Sequence, residues 1–386
     1  MIKRKLCVIT GTRAEYGLLK KLIEKINISD EFELILLVTG SHLSEKFGNT
    51  FNEIEGDGFL INRKIDIQID DDKPCDIANS TALSIQGFSK AYLDFNPDLV
   101  ILLGDRYEIL GAAISAMYHQ IPIAHLHGGE LTLGAMDEGI RHSLTKLSHL
   151  HFVANDVYRN RVIQLGENQN VVFNVGGLGV DAIKQINLLT KEELEKSLQF
   201  QFKDKNLLIT FHPVTLESST SSFQMEELLK ALAIRKDCQL IFTMPNADPN
   251  GKALFDKIEC FVKEHSNSCV FKSLGQIRYF SCLNQVDAVI GNSSSGISEA
   301  PSFKKATVNI GDRQSGRLKA TSVIDCKPNF ESINNAIDKI YTNSFQNIVL
   351  NTVNPYGDGG SVESIINTLK TLSFDNLLKK NFHDLL

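Results

Sequence analysis

Short apolar runs recur along this chain, and each is followed by a longer stretch with helical period. Positions 5–10, 33–39, 99–103, 121–124, 151–154 and 171–174 read as strands, and so do 207–210, 239–244, 270–272, 288–290, 306–309 and 322–325. Alternation of strand and helix predicts parallel sheets with helices on both faces. The two series are separated by Gly176-Gly177-Leu178-Gly179, a flexible Gly-rich stretch. The pattern therefore predicts an α/β protein of two Rossmann-like, doubly wound domains, 1–176 and 177–360, with a central cleft. A last helical segment, 361–386, is expected to pack back on the first domain. In such sheets ligands bind beyond the carboxyl ends of the strands. The polar motifs of this chain follow its predicted strands, as that rule requires.

Composition narrows the picture further. The 386 residues suffice for two cores. A formal net charge of −6 gives no reason to expect a nucleic acid partner. No run approaches the roughly 18 apolar residues of a membrane span. The basic start Met1-Ile2-Lys3-Arg4-Lys5 leads into an apolar run, 6–9, that is too short for a signal-peptide core, so a cytoplasmic protein is expected. Seven scattered cysteines, never at C-x-x-C spacing, read as reduced thiols rather than a disulfide framework or zinc site. His125, His127, His149 and His151 cluster in sequence without metal-ligand spacing. Residues 125 and 127 are expected on one face of a strand, and no metal is expected there.

Seven polar stretches carry the candidate chemistry. The stretch Ile290-Gly291-Asn292-Ser293-Ser294-Ser295-Gly296 ends a buried strand in small hydroxyl residues before a helix-compatible segment, a pattern that offers N–H groups and hydroxyls to a phosphate. Glu299, one turn later, suits a ribose diol; an ordinary strand–loop–helix junction capped by Ser is the other reading. Gly11-Thr12-Arg13-Ala14-Glu15-Tyr16-Gly17 is a glycine turn with one fixed cation, neither a Walker loop nor G-x-G-x-x-G; Arg13 suits a phosphate or a uracil edge, and a surface Arg near a helix N-terminus is the equal alternative. Asp105 in Gly104-Asp105-Arg106-Tyr107-Glu108 reads either as a carboxylate at the site rim or as an N-cap with Glu108 three residues on. His125-Leu126-His127-Gly128-Gly129-Glu130 and Asp137-Glu138-Gly139-Ile140-Arg141-His142 add carboxylates. Clustered carboxylates cannot all ionise cheaply, so a pKa raised towards neutrality is expected among them. His212, before Pro213, is expected to expose its ring and to protonate or hydrogen-bond a departing phosphate; a core or capping histidine is the other reading. Gly311-Asp312-Arg313-Gln314-Ser315-Gly316-Arg317 supplies two cations, read as diphosphate ligands or as a solvated basic turn.

Taken in order over nearly the whole chain, these motifs resemble the hydrolysing UDP-N-acetylglucosamine 2-epimerases, in particular the NeuC type that starts sialic acid synthesis. The resemblance implies a glycosyltransferase-B-like architecture and a reaction without NAD or an essential metal. In that reaction H2 and UDP leave by anti elimination, giving 2-acetamidoglucal, and hydration then yields N-acetylmannosamine. It further implies Asp105, Glu130 and Asp137 as acid/base groups and His212 at the leaving phosphate. Arg13, Glu138, Arg141, Asn246, Ser293, Ser294, Ser295, Gly296, Glu299 and Arg313 become substrate-binding residues. Many relatives carry Glu at the position of His127, which leaves open the carboxylate that removes H2. A 2,4-diacetamido-trideoxy sugar nucleotide is an alternative substrate, and a glycosyltransferase of the same fold an alternative activity. A homo-oligomer is the default by resemblance.

Overall fold

The computed structural model describes residues 3–69, 73–132, 136–212, 218–244, 251–272 and 274–384. Its chain divides into two compact units. The first comprises Met1–Glu130, Met136–Ala182 and Gly359–Leu386, the second Leu131–Ala135 and Ile183–Asp358.

The first unit holds a sheet of β1 (Arg4–Thr10), β2 (Phe32–Thr39), β3 (Arg63–Ile65), β4 (Leu99–Leu103), β5 (Ile123–Leu126), β6 (Leu150–Val153) and β7 (Val172–Asn174). All neighbours pair in parallel, in the order β3-β2-β1-β4-β5-β6-β7. The side-chain period of two splits each strand between two layers of core. Leu6, Val8, Leu36, Val38, Leu99 and Ile101 pack with Leu19, Leu22 and Ile23 on one face. Cys7, Ile9, Ile35, Leu37, Val100 and Leu102 pack with Phe88, Tyr92, Ile109 and Ala112 on the other. Because both faces are covered, the strands are apolar throughout rather than alternating, as parallel sheets require.

The second unit repeats the plan with β8 (Lys205–Thr210), β9 (Cys238–Thr243), β10 (Ser268–Phe271), β11 (Ala288–Gly291), β12 (Ala306–Ile310) and β13 (Val323–Cys326). Its order is β10-β9-β8-β11-β12-β13, again parallel. In both sheets the order reverses once, beside β1 and β4 in the first and beside β8 and β11 in the second. Strand ends diverge at such a switch point, which leaves a crevice for side chains and ligands.

Two features depart from the reading of the sequence. β3 was not expected: it is three residues long, Arg-Lys-Ile, and sits at the sheet edge, where charge is tolerated and the apolar signal is lost. The division between units falls after Ala182 rather than at 176, because Leu178 is part of the first core and Asp181 Oδ2 accepts the Val362 N–H at 2.6 Å. The segment from Gly359 belongs to the first unit. Its helix Ser361–Thr371 buries Val362, Ile365 and Leu369 there, and Arg4 donates to the Leu372 carbonyl at 2.9 Å. No helix among the described residues is long and apolar enough to cross a membrane.

Candidate active site

In the first unit the switch-point loops carry the polar residues. After β1 the chain turns into the helix Arg13–Asn27. The Thr12 side chain accepts the Glu15 N–H at 3.2 Å, and Glu15 Oε2 accepts the Gly11 N–H at 2.7 Å. Gly11 has no room for a larger residue, since a Cβ would lie 2.7 Å from Glu108 Oε1. Glu108 itself is wholly buried at the start of the helix Tyr107–Tyr118 and accepts Arg106 Nε at 2.6 Å. Burial, with the neighbouring charge of Glu108, pushes the Glu15 carboxyl up to about 8. Arg13 points elsewhere: its Nε donates to Glu53 at 3.0 Å, and both side chains are about half exposed.

Arg141 is the hub of the acidic cluster. It lies one turn into the helix Asp137–Leu147 and is only 2% exposed. Its guanidinium donates to Asp105, to Glu138 Oε2 at 2.7 Å and to the Glu130 carbonyl at 2.9 Å. The planar fork of donors suits several acceptors arranged around it. Glu138 also meets His142 Nε2 at 3.1 Å. His127 Nε2 accepts the Leu178 N–H at 3.3 Å, so its proton sits on Nδ1 and is donated to Glu130 at 2.8 Å. Asp137 opens the helix. Its carboxyl is held above the usual carboxylate range, chiefly by burial and then by the charge of Asp105, while Arg106 and Arg141 oppose the shift.

In the second unit Asn292 plays the same organising part. Its Oδ1 accepts the His212 N–H at 2.7 Å and its Nδ2 donates to the His212 carbonyl at 2.8 Å. Its own carbonyl accepts Arg313 Nη1 at 3.0 Å and Gln314 Nε2 at 2.9 Å. Gly291 precedes it at φ 137°, where a Cβ would sit 1.9 Å from the Thr210 oxygen; only glycine lets β11 approach β8 so closely. The helix that follows, Ser295–Ser298, is a single turn. Within it the Ser295 hydroxyl donates to Glu299 and accepts from Tyr279 at 2.6 Å. Ser293 Oγ accepts the Ser295 N–H at 3.4 Å, and the Ser294 carbonyl accepts the Ser298 hydroxyl at 3.0 Å. Gly296 packs against Thr307, and burial raises the Glu299 carboxyl.

The structure thus brings Asp105, Glu130, Asp137, Glu138 and Arg141 together in the first unit, and His212, Ser293–Gly296, Glu299 and Arg313 around β8 and β11 in the second. Asn246 lies outside the described residues. Several expectations change. Asp105 is not an N-cap: Arg106 holds that position without a side-chain cap, and the Asp105 carboxylate is taken by Arg141. His212 is not exposed. The residue is 9% exposed, and burial with nearby Arg313 lowers its pKa to about 4, because Asn292 clamps its backbone inward. His125 and His127 do not share a strand face, since β5 ends at Leu126 and His127 turns to φ 64°. Among the described residues no cluster has the makings of a metal site. His125 instead bonds the Gly104 carbonyl at 2.8 Å, and His151 bonds Glu167 at 3.0 Å. The helix-compatible segment behind the serines forms a single turn, Ser295–Ser298, so it adds little dipole for an anion. The sequence gives Asn292 and Tyr279 no role of their own and Glu108 only that of a cap partner, whereas the structure makes Asn292 a clamp, buries Glu108 against Arg106 and bonds Tyr279 to Ser295. A charged residue at the start of the apolar helix Tyr107–Tyr118 was the available signal for Glu108.

Two parallel doubly wound units, each with polar loops at its switch point, define the glycosyltransferase-B-like class of α/β protein. The family follows from comparison. A family model described as UDP-N-acetylglucosamine 2-epimerase matches residues 24–370, and the chain belongs to that family. It is 43% identical over 387 residues to the GDP/UDP-N,N'-diacetylbacillosamine 2-epimerase (hydrolyzing) of Campylobacter jejuni, covering 100% of both chains. It is 38% identical to polysialic acid biosynthesis protein P7 of Escherichia coli, over 99% of this chain and 98% of that one. The crystal structure of the UDP-GlcNAc 2-epimerase of Neisseria meningitidis bound to UDP-GlcNAc shares the fold, with a TM-score of 0.82 at 19% identity, over 95% of this chain and 100% of that one.

Proposed function

We propose that the chain is a hydrolysing UDP-sugar 2-epimerase that converts UDP-N-acetylglucosamine and water into N-acetylmannosamine and UDP, a reaction that supplies sialic acid synthesis. The observation that carries this reading is the Arg141 cluster. It holds Asp105 in an ion pair while burial and Asp105 itself keep the nearby Asp137 carboxyl raised. Inversion at C2 needs a base on one face and an acid on the other, and two carboxyl groups in unlike environments suit that division.

In this reading Asp105 takes H2 as the C1–O bond to UDP breaks, which leaves 2-acetamidoglucal and free UDP. Water then adds at C1, and Asp137 delivers a proton to the opposite face of C2. H2 is not adjacent to a carbonyl, so its loss has to accompany departure of UDP. Neutralising the diphosphate with Arg313 and the N–H groups at Ser293 and Ser294 assists that departure. His212 is neutral at pH 7, its pKa lowered to about 4, and acts as a hydrogen-bond donor to the leaving phosphate rather than as an ionised acid. Glu299 takes the ribose hydroxyls, Asn246 contributes to nucleotide or sugar binding, and Glu130, Glu138 and Arg141 orient the sugar. The protein acts as a cytoplasmic homo-oligomer with no cofactor.

A second reading keeps the chemistry and changes the sugar to a 2,4-diacetamido-2,4,6-trideoxy UDP-sugar. The observation favouring it is the name of the Campylobacter jejuni relative, 43% identical over the full length. One experiment separates the readings: NMR in D2O with each UDP-sugar in turn, chelator present and no acceptor. Release of UDP with deuterium at C2 of the product supports the elimination route, and the faster substrate decides the sugar. Absence of turnover on both sugars removes the proposal in favour of a glycosyltransferase.

A further inference from the structure

We infer that Tyr279 is a positioning residue for the nucleotide ribose, acting through the Ser295 hydroxyl on Glu299. The inference rests on the reading of Glu299 as the ribose ligand. Tyr279 comes from the helix Gly275–Gln285, while Ser295 and Glu299 bracket the single turn behind β11. A carboxylate oxygen only accepts, so the Ser295 proton goes to Glu299 Oε2. The Ser295 oxygen is then left as an acceptor, and Tyr279 Oη donates to it at 2.6 Å. The order of protons is therefore fixed from Tyr279 to Ser295 to Glu299.

This chain does two things. It commits Oε2 and leaves Oε1 of Glu299, which has no hydrogen-bond partner among the described residues, as the acceptor for the adjacent hydroxyls of a ribose. It also stabilises the charged form of a carboxyl that burial pushes the other way. Tyr279 is suited to a constant donor role, because burial raises its phenol well clear of physiological pH. Ser295 spends its one proton inside the protein, so its hydroxyl is no donor to a diphosphate, contrary to the expectation from sequence.

The test is calorimetric titration of UDP and of 2′,3′-dideoxy-UDP into the wild type, Tyr279→Phe and Ser295→Ala. The wild type is expected to prefer UDP. Tyr279→Phe is expected to weaken UDP about 5-fold, the scale of one hydrogen bond, and to leave dideoxy-UDP unchanged. Ser295→Ala removes the middle of the same relay while leaving the Tyr279 side chain itself unaltered, and is expected to give the same ligand-selective loss. Equal weakening of both nucleotides by either variant, or no weakening of UDP, overturns the inference. A wild type that binds both nucleotides alike removes Glu299 as ribose ligand and the inference with it. A wild type that binds neither removes the functional reading itself.

Discussion

Arg141 and Asn292 show how a single side chain can assemble a site. Each is buried and multiply bonded, and each joins loops far apart in sequence: Arg141 reaches Asp105 across 36 positions, Asn292 reaches His212 across 80. Removing such a group strands its partners without water or protein to replace it. Asn292→Ala is therefore expected to cost about 2–4 kcal/mol of stability, for two buried backbone groups left unpaired. Denaturant unfolding of the variant checks this, and a cost below the worth of a single surface contact would contradict the clamp. Asp105→Asn and Asp137→Asn are isosteric and are expected to lower turnover at least 100-fold while leaving UDP affinity within about twofold. Turnover and calorimetry together test it; a variant with near-normal turnover takes that residue out of the acid/base pair.

At the scale of elements, the helix Asp137–Leu147 is gripped at both ends. Arg141 ties its first turns to Asp105. At its far end Lys380, from the C-terminal tail, donates to the carbonyls of Lys146 at 2.8 Å and Ser148 at 2.7 Å, and pairs with Glu167 at 2.6 Å. A cation at a helix C-terminus meets both its unpaired carbonyls and its dipole. Glu167 also accepts Lys146 and His151, and although burial works against it, these donors hold its carboxyl down to about 2. The tail residue Phe382 lies against Gly166 and within 5.0 Å of Lys146. Lys380→Met is expected to destabilise the protein by about 1–3 kcal/mol, since three acceptors lose a charged donor. Thermal or denaturant melting of the variant measures it. Unchanged stability would mean that the tail is not a structural clamp.

For the whole molecule, burial of histidines sets the response to acid. His42, His149 and His212 are lowered to about 4 and His125 to about 3, all mainly by burial. Unfolding restores them to about 6.5, so below that pH the unfolded chain binds more protons and stability falls as pH drops. Glu167 adds a loss from about 4.5 downwards, because its folded form gives up its proton more readily. Glu15 works the other way: raised to about 8, it binds a proton in the folded chain that the unfolded chain has released, so its contribution fades between about 4.5 and 8. Each such proton changes stability by ~1.4 kcal/mol per pH unit. The melting temperature is expected to rise steeply from pH 4 to about 6.5 and then decline slightly. A flat profile from pH 4 to 7 would contradict the buried neutral histidines.

The sequence by itself determined the elements and their order. Apolar runs spaced by helical stretches sufficed for two parallel sheets, because strands buried on both faces have to be apolar throughout. It also placed the polar motifs after the strands, where a doubly wound sheet opens. Only β3 escaped, as a short charged edge strand carries no such signal. What the sequence left open was decided by tertiary contact. Asp105 read equally as rim carboxylate or N-cap until Arg141 claimed it, His212 read as exposed until Asn292 drew it in, and Ser295 read as a phosphate donor until Glu299 took its proton. The physical reason is common to all three. Hydrophobic period is a local property of the chain, whereas the partner, burial and charge of a polar group depend on residues that only the folded sheet brings alongside it.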